Sequence, residues 1–115
     1  MSADCLFCKI IAGEIPSQKV FENDLVVGFK DLHPQAKEHF LFIHKRHTTN
    51  FNDLLETDPS QLNDLSLAMT TFAKEKGFDQ TGYRVVTNIG RDAGQTVFHT
   101  HFHLLAGEQL GHFGR

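Results

Sequence analysis

One stretch constrains the fold of this chain more than any other: Val97-Phe98-His99-Thr100-His101-Phe102-His103-Leu104-Leu105, in which three histidines recur at every second position. Its β-branched and aromatic residues favour a strand, and alternate side chains of a strand share one face. The three imidazoles would then form a row with a spacing of about 6.8 Å, from about 3.4 Å per residue. A helix would instead turn His101 away from the other two. The intervening residues are expected to face the core: Phe98, Thr100, Phe102 and Leu104.

Such a row of histidines has two interpretations. The imidazoles can be partly buried packing groups on an ordinary strand, or they can form a functional site. Three in succession on one face, opposite an apolar face, favour the second interpretation. Groups that titrate near neutral pH suit metal or phosphate chemistry.

The composition limits the classes of protein to which the chain can belong. Its 115 residues suit one domain, 1–115, with 40% hydrophobic and 22% charged residues, as in globular proteins. A net charge of −3 with scattered Lys and Arg does not provide the basic surface that binds nucleic acid. No apolar run approaches the roughly 18 residues of a membrane span, and residues 1–4 do not begin a secretory signal. A cytoplasmic protein is therefore expected.

The only cysteines, Cys5 and Cys8, form a C-x-x-C pair. In a reducing compartment a structural disulfide is not expected, which leaves a redox pair or half of a metal site. A thioredoxin-like pair follows a strand, whereas this pair opens the chain, so metal binding is favoured. Histidines from other segments could complete a tetrahedral zinc site with two thiolates.

The remaining periodicities predict an α+β fold. A short helix is expected over 5–12 with Asp4 as its cap, and a long helix after Thr57 or Asp58 with Pro59 near its first position, ending before Gly77. Residues 49–55 are expected to be irregular or a short helical turn. With the histidine strand, four other predicted strands complete an antiparallel sheet of about five: 19–22, 25–30, 40–44 (central) and 83–87. The polar tail, 108–115, is expected to be mobile or docked.

The middle histidine is a candidate nucleophile. A neutral imidazole can attack phosphorus and form a phosphohistidine, provided that a neighbouring group fixes its tautomer. His101 has an imidazole on each side and a glycine-containing loop before it. Donors for the charge that develops on phosphate oxygens could come from Asn88, Gln95, Thr96 and the amides of 94–96.

The motif His99-Thr100-His101-Phe102-His103-Leu104-Leu105 resembles the signature of the histidine triad (HIT) superfamily, in its nucleoside phosphoramidase (protein kinase C inhibitor-like) branch. The resemblance extends over most of the chain, through 7–11 with 14–16, 29–36, 39–41, Asn88 and 94–96. It implies the HIT-like arrangement of the predicted sheet and helices. It also implies a homodimer, joined through the long helix and the strand 83–87.

The resemblance implies roles for individual residues. His101 would be the nucleophile on the α-phosphorus, His103 would contact the phosphate, and His39 would support the pair by hydrogen bonding. Asp31 would accept the ribose hydroxyls. Asn88, Gln95 and Thr96 would contact the phosphate and the leaving group, with Thr96 among the catalytic residues. The purine pocket would comprise Phe7, Ile10, Phe29 and Leu32. One structural zinc ion would be held by Cys5, Cys8, His47 and His99.

The expected activity is therefore that of an enzyme acting on a purine nucleotide. It would hydrolyse nucleoside 5′-phosphoramidates or acyl-nucleotides to the monophosphate through a nucleotidyl-histidine intermediate. A dinucleoside polyphosphate hydrolase is the alternative within the same chemistry. A non-catalytic nucleotide-binding or zinc-stabilised interaction module is the alternative of another class. The tail lacks the Trp-Pro-Pro-Gly ending of animal members, so the sequence leaves the leaving group open.

Overall fold

An antiparallel sheet of five strands carries the fold, as seen in a computed structural model that describes residues 5–112. Its spatial order is β1-β2-β3-β5-β4, and every neighbouring pair is antiparallel. The predicted α+β class is confirmed, and β3 is the central strand. The strands are β1 (Lys19–Glu22), β2 (Val26–Lys30), β3 (Glu38–His44), β4 (Tyr83–Val86) and β5 (His101–Ala106).

Four α-helices accompany the sheet in the described residues: α1 (Leu6–Ile11), α2 (Phe51–Thr57), α3 (Ser60–Lys76) and α4 (Phe78–Thr81). Cys5 caps α1, since its Sγ accepts the Cys8 N–H at 3.3 Å. The expected cap, Asp4, lies outside the described residues. The segment 49–55, expected to be irregular or a short helical turn, contains most of the helix α2, because the Asn50 side chain accepts the Asp53 N–H at 3.0 Å and caps it. None of the helices in residues 5–112 is long and apolar enough to cross a membrane.

The sheet has two differently packed faces. On one face, α3 buries its apolar stripe against the aromatic residues of β3 and β5. This cluster includes Leu65, Met69, Phe72, Phe42 and Phe102. Gly28 in β2 lets the Phe42 ring lie close to the backbone, because a Cβ at this position would come within 2.6 Å of the ring. On the other face, α1 covers β2 and β3 with the buried residues Phe7, Ile10, Phe29, Leu41 and Ile43.

The histidine strand is shorter than the prediction. It begins at His101 rather than Val97, and Phe98, expected in the core, is 53% exposed. The reason is that β3, its partner, pairs with His101 through Ile43 and ends one residue later. Beyond that point Thr100 instead donates its N–H to Thr48 O at 2.8 Å. His101 and His103 therefore share a face of the sheet, whereas His99 precedes the strand.

The described part of the C-terminal tail is docked on the protein. The Arg84 guanidinium donates to Gly111 O at 2.7 Å. At the start of the tail, Glu108 Oε2 accepts the Lys37 N–H at 2.6 Å. These bonds hold residues 108–111 beside the edge strand β4, and the last three residues of the tail lie outside the described residues.

Candidate active site

His101 is held in the tautomer that nucleophilic attack requires. Its Nδ1 lies 2.7 Å from His99 O. A carbonyl oxygen only accepts hydrogen bonds, so Nδ1 carries the proton and Nε2 keeps its lone pair. Burial lowers the pKa of His101 from its ordinary value, which keeps the imidazole neutral at neutral pH.

His103 is oriented by a second histidine. The Gln35 N–H donates to His39 Nδ1 at 2.9 Å, so the proton of His39 is on Nε2. That Nε2 lies 2.9 Å from His103 Nδ1 and donates to it. The proton of His103 is then on Nε2, where it can be donated to a ligand. Burial lowers the pKa of His103 to about 4 and also lowers the pKa of His39.

Asp31 lies at the edge of this histidine pair. Its Oδ2 is 3.4 Å from His39 Nε2, and its Oδ1 accepts the His33 N–H at 2.8 Å. The second contact fixes the carboxylate where β2 has ended. A charged acceptor is thereby held close to the imidazoles.

A cavity of about 360 Å³ lies between α1, β2 and the two histidines of β5. Its apolar wall is aromatic: the Phe7 ring lies 5.6 Å from the Phe29 ring and 5.1 Å from the His101 ring, edge to face in both cases. Leu32 lines the cavity and is 87% exposed. Of the residues assigned to the nucleotide from sequence, eight line this first cavity: Phe7, Ile10, Phe29, Asp31, Leu32, Thr96, His101 and His103.

A second cavity of about 280 Å³ lies on the other side of His103, toward β4 and the tail. His39 and Asn88 line it, together with two charged residues, Arg84 and Glu108, that sequence analysis did not single out. The sequence placed Arg84 in the strand predicted over 83–87, but it did not show which strand lies beside it. The structure pairs β4 with β5 and places Arg84 opposite Leu105, which brings its side chain to this cavity.

Gln95 is the one nucleotide-site candidate that lines neither cavity. Its carboxamide donates to Thr49 O at 2.8 Å and Val97 O at 3.1 Å, and it accepts the Gly90 N–H at 2.8 Å. The side chain thus fixes the loop that carries Thr96. The sequence of this segment, in which the polar residues Gln95 and Thr96 are adjacent, does not indicate which side chain points inward.

A second cluster joins the four residues assigned to a metal: Cys5, Cys8, His47 and His99. Their potential ligand atoms all lie within 4.8 Å of one another. The Nδ1 of His99 is 3.3 Å from Cys5 Sγ, 3.5 Å from Cys8 Sγ and 3.1 Å from His47 Nδ1. A tetrahedral zinc site with bonds of about 2.3 Å to sulfur and about 2.0 Å to nitrogen has S–N edges of about 3.5 Å and N–N edges of about 3.3 Å. The four residues therefore fit a metal ion.

The protonation of the cluster also suits a cation. His99 Nε2 donates to His44 O at 2.9 Å, so its Nδ1 offers a lone pair to the cluster. Burial raises the pKa of the Cys8 thiol to about 11, which disfavours a thiolate when no cation is near. A divalent ion supplies the positive charge that ionises both thiols.

Sequence analysis missed a contact beside this cluster. His44 Nε2 lies 2.9 Å from Asp64 Oδ2 and its Nδ1 accepts the Arg46 N–H at 3.1 Å. The pair ties the end of β3 to α3 on the face opposite the histidine row. Because Asp64 is distant in sequence, no local pattern identifies it as the partner.

The chain resembles known proteins along almost its whole length. A model of the HIT domain family matches residues 12–110. The purine nucleoside phosphoramidase of Escherichia coli (strain K12) is 38% identical over 111 residues, which cover 96% of this chain and 93% of that protein. A histidine triad protein from Clostridium difficile is 45% identical, with a TM-score of 0.94 and 98% of both chains covered. A HIT family hydrolase from Clostridium thermocellum is 40% identical, with a TM-score of 0.93 and 100% of both chains covered.

Proposed function

The chain belongs to the HIT domain family, and from this premise we propose that it hydrolyses purine nucleoside 5′-phosphoramidates or acyl-nucleotides to the nucleoside monophosphate. The observation that carries the proposal is the bond from His101 Nδ1 to His99 O. It leaves a neutral imidazole with its Nε2 lone pair beside a cavity suited to a nucleoside.

The reaction has two displacement steps. In the first, the lone pair of His101 Nε2 forms a bond to the α-phosphorus. The bond from phosphorus to the leaving group breaks, and the leaving atom takes the electron pair. An amine leaving group also takes a proton from solvent, whereas the carboxylate released from an acyl-nucleotide needs none. In the second step, water forms the new bond to phosphorus and releases a proton to solvent, and the nitrogen–phosphorus bond breaks so that His101 recovers its lone pair. For a phosphoramidate, the proton taken in the first step equals the proton released in the second, whereas hydrolysis of an acyl-nucleotide releases one proton overall.

His103 and His39 support these steps as hydrogen-bonding groups. The Nε2–H of His103 can donate to a phosphate oxygen as charge develops there. The His39 bond to His103 Nδ1, at 2.9 Å, keeps this proton on the side that faces the cavities. Thr96, which lines the first cavity, offers a hydroxyl to the same phosphate.

The nucleoside would occupy the first cavity. Its aromatic and aliphatic wall suits the flat faces of a purine base. The Asp31 carboxylate, at the same cavity, suits the two hydroxyls of a ribose. A dinucleoside polyphosphate hydrolase would use the same cavity, whereas its leaving group would be a second nucleotide with several negative charges.

The proposal includes one structural zinc ion per chain at Cys5, Cys8, His47 and His99. Two sulfur and two nitrogen ligands complete a tetrahedral shell, so no position remains for a catalytic water. Both cysteines are free thiols. A reducing compartment such as the cytoplasm, where we propose that the protein acts, keeps thiols available for a metal.

The proposal also includes a homodimer. In the described residues β4 is hydrogen-bonded to a strand on one side only. Two apolar side chains near this edge and on α3 are exposed, Val85 at 41% and Leu67 at 59%. Pairing of two β4 edges would cover an otherwise open strand.

The test is a single-turnover reaction with adenosine 5′-phosphoramidate. His101→Ala should abolish turnover and keep the melting temperature and the affinity for AMP close to those of the parent protein. Rapidly quenched parent enzyme should carry an adenylyl group on His101, detectable by mass spectrometry. His112→Ala, an exposed histidine outside both cavities, is the matched control and should turn over normally. An adduct on another histidine, or normal turnover by His101→Ala, would contradict the proposal.

A further inference from the structure

The cysteine pair has the spacing that a disulfide requires, in addition to the geometry that suits a metal ion. Cys5 caps α1 and Cys8 lies in its first turn. Because the two residues between them are helical, their Cα atoms are separated by about 5 Å, as across one helical turn. Disulfides span roughly 4.4–6.8 Å between Cα atoms. The two Sγ atoms already lie within 4.8 Å of each other, so a bond between them requires only rotation of the side chains.

A disulfide and a metal ion exclude each other at this cluster. A cysteine binds a metal through its thiolate, which carries the negative charge. In a disulfide the two sulfurs are bonded to each other and carry no charge, so His47 and His99 alone would remain as ligands. Half of a tetrahedral shell is not enough for a structural ion. Oxidation of the pair would therefore release the metal.

A third cavity, of about 430 Å³, gives access to one of the two sulfurs. Cys5 lines this cavity, whereas Cys8 does not. Phe98 also lines it and is 53% exposed, so the cavity opens to solvent. Cys5 itself is only 8% exposed. A molecule of about the size of water therefore reaches the Cys5 sulfur, whereas a bulky disulfide does not.

The two cysteines thus differ in the way that a peroxide-sensitive pair requires. Such a pair combines one accessible thiolate with a neighbouring thiol that resolves the oxidised form as a disulfide. Cys5 occupies the accessible position, and Cys8 lies beside it with its own N–H donating to Cys5 Sγ at 3.3 Å. The chain contains no other cysteine, so an intrachain disulfide can form only between these two.

We infer that Cys5 and Cys8 are a site of reversible oxidation, at which a small peroxide that enters through the third cavity converts the two thiolates into a disulfide, releases the metal ion and weakens nucleotide binding in the first cavity. The inference rests on the metal site and the nucleotide site of the proposed function. In a reducing compartment such a disulfide is transient, as in redox-sensing proteins.

The oxidation has two steps. The Cys5 thiolate attacks one oxygen of hydrogen peroxide, the oxygen–oxygen bond breaks, and Cys5 becomes a sulfenic acid while hydroxide leaves. The Cys8 thiolate then attacks the Cys5 sulfur, the sulfur–oxygen bond breaks and a second hydroxide leaves. Two protons from solvent convert the two hydroxides into water. The sulfur pair loses two electrons, and the peroxide gains them.

Oxidation acts on the first cavity through α1. This helix has six residues, and isolated helices shorter than about 12 residues are marginal in water. A bound metal links α1 to the segments of His47 and His99, whereas the disulfide links the helix only to its own cap. Phe7 and Ile10 of α1 line the first cavity. Release of the metal therefore loosens this wall, and the affinity for a nucleotide falls.

The test uses the parent protein loaded with zinc and then treated with hydrogen peroxide. A chromogenic indicator measures released zinc, mass spectrometry after alkylation of the remaining thiols identifies the disulfide, and isothermal titration gives the affinity for AMP. About one zinc ion should be released for each intrachain disulfide formed, and the affinity for AMP should fall several-fold. Dithiothreitol followed by added zinc should restore both the zinc content and the affinity.

Two variants test the route by which the peroxide enters. Phe98→Ala removes an exposed ring from the third cavity and should raise the rate constant of zinc release several-fold. Leu25→Ala is the matched control, because Leu25 is 46% exposed and lines none of these three cavities. Its rate constant should equal that of the parent protein. The same rate constant in Phe98→Ala and in the parent protein would overturn the assigned route.

The outcomes separate the inference from the proposed function. If the parent protein neither contains nor binds zinc, the proposed metal site is wrong and the inference falls with it. If the untreated protein does not bind AMP, the proposed function is wrong, while the zinc and thiol measurements still decide whether the pair is oxidised. The inference alone is wrong if zinc stays bound under peroxide, if zinc leaves while both thiols can still be alkylated, or if the disulfide forms and the affinity for AMP does not change.

Discussion

At the scale of single residues, main-chain groups decide which nitrogen of each histidine carries a proton. His99 O fixes the proton of His101, Gln35 N–H fixes that of His39, and His44 O fixes that of His99. Side-chain substitutions nearby do not remove these partners. The folded backbone therefore determines the tautomers that the proposed attack and the proposed metal binding require.

The lowered pKa of His101 predicts the pH dependence of the reaction. The neutral imidazole is the reactive form, and burial lowers its pKa below the ordinary value of 6.5. Activity is therefore present above the folded pKa and lost as the pH falls through it. We expect the acid limb of kcat/KM to be centred below pH 6.5, the ordinary value for histidine. A steady-state pH profile, corrected for uncatalysed hydrolysis, checks this, and an acid limb centred above the ordinary histidine value would contradict it.

Asp31 should determine the preference for ribose over deoxyribose. Its carboxylate lines the first cavity, where we propose that the nucleoside binds, and loss of a charge-assisted hydrogen bond costs about 1.5–3 kcal/mol. The parent protein should bind AMP more tightly than 2′-deoxy-AMP, and Asp31→Asn should reduce this difference. Isothermal titration measures both affinities. Asp92→Asn, at an exposed carboxylate (92% exposed), is the control, and equal affinity of the parent protein for the two sugars would refute the role.

At the scale of elements, the four candidate metal ligands meet because the ends of three separate segments lie close together. The cluster of four candidate metal ligands connects the start of α1 through Cys5 and Cys8, the segment after β3 through His47, and the segment before β5 through His99. Thr48 and Thr100 hold the last two segments together, with their hydroxyl oxygens 2.7 Å apart. The cluster therefore fixes the helix that forms one wall of the first cavity.

Metal removal should consequently destabilise α1 and the two segments that carry His47 and His99. The purified protein should contain about one zinc ion per chain by elemental analysis, and a strong chelator should lower its melting temperature markedly, because the binding free energy of a structural metal is folding free energy. Activity should be lost only in parallel with the folded fraction. His47→Ala should behave as the chelated protein does, whereas His112→Ala should not. Full stability in chelator, with no metal bound, would exclude the site.

At the scale of the whole molecule, the open edge of β4 and the exposed residues of α3 predict self-association. Light scattering at micromolar concentration should give the mass of a dimer. Leu67→Glu, at a side chain that is 59% exposed on α3, should shift the equilibrium toward the monomer by placing a charge in the interface. Leu25→Glu, at an exposed leucine in the β1–β2 turn (46%), should not. A monomeric parent protein would refute the prediction.

The local sequence pattern determined much of the fold, because helix and strand periodicities depend on backbone geometry alone. The stripe that includes Leu65, Met69 and Phe72 is buried as the helical spacing predicts. The alternation at the histidine strand correctly places Phe102 and Leu104 in the core, on the face opposite His101 and His103. The resemblance to a known family added the list of candidate site residues, which no local pattern supplies.

Only the tertiary structure decided where the elements stop and which distant residues meet. The histidine strand starts at His101, because its partner β3 ends at His44. The Gln95 side chain forms hydrogen bonds with the backbone and does not line a cavity, because Thr49 O lies within hydrogen-bonding distance of its carboxamide. The second cavity exists because β4 pairs with β5 and places Arg84 opposite Leu105. Each outcome depends on contacts between segments far apart in sequence, and the periodicity of one segment carries no information about the position of another.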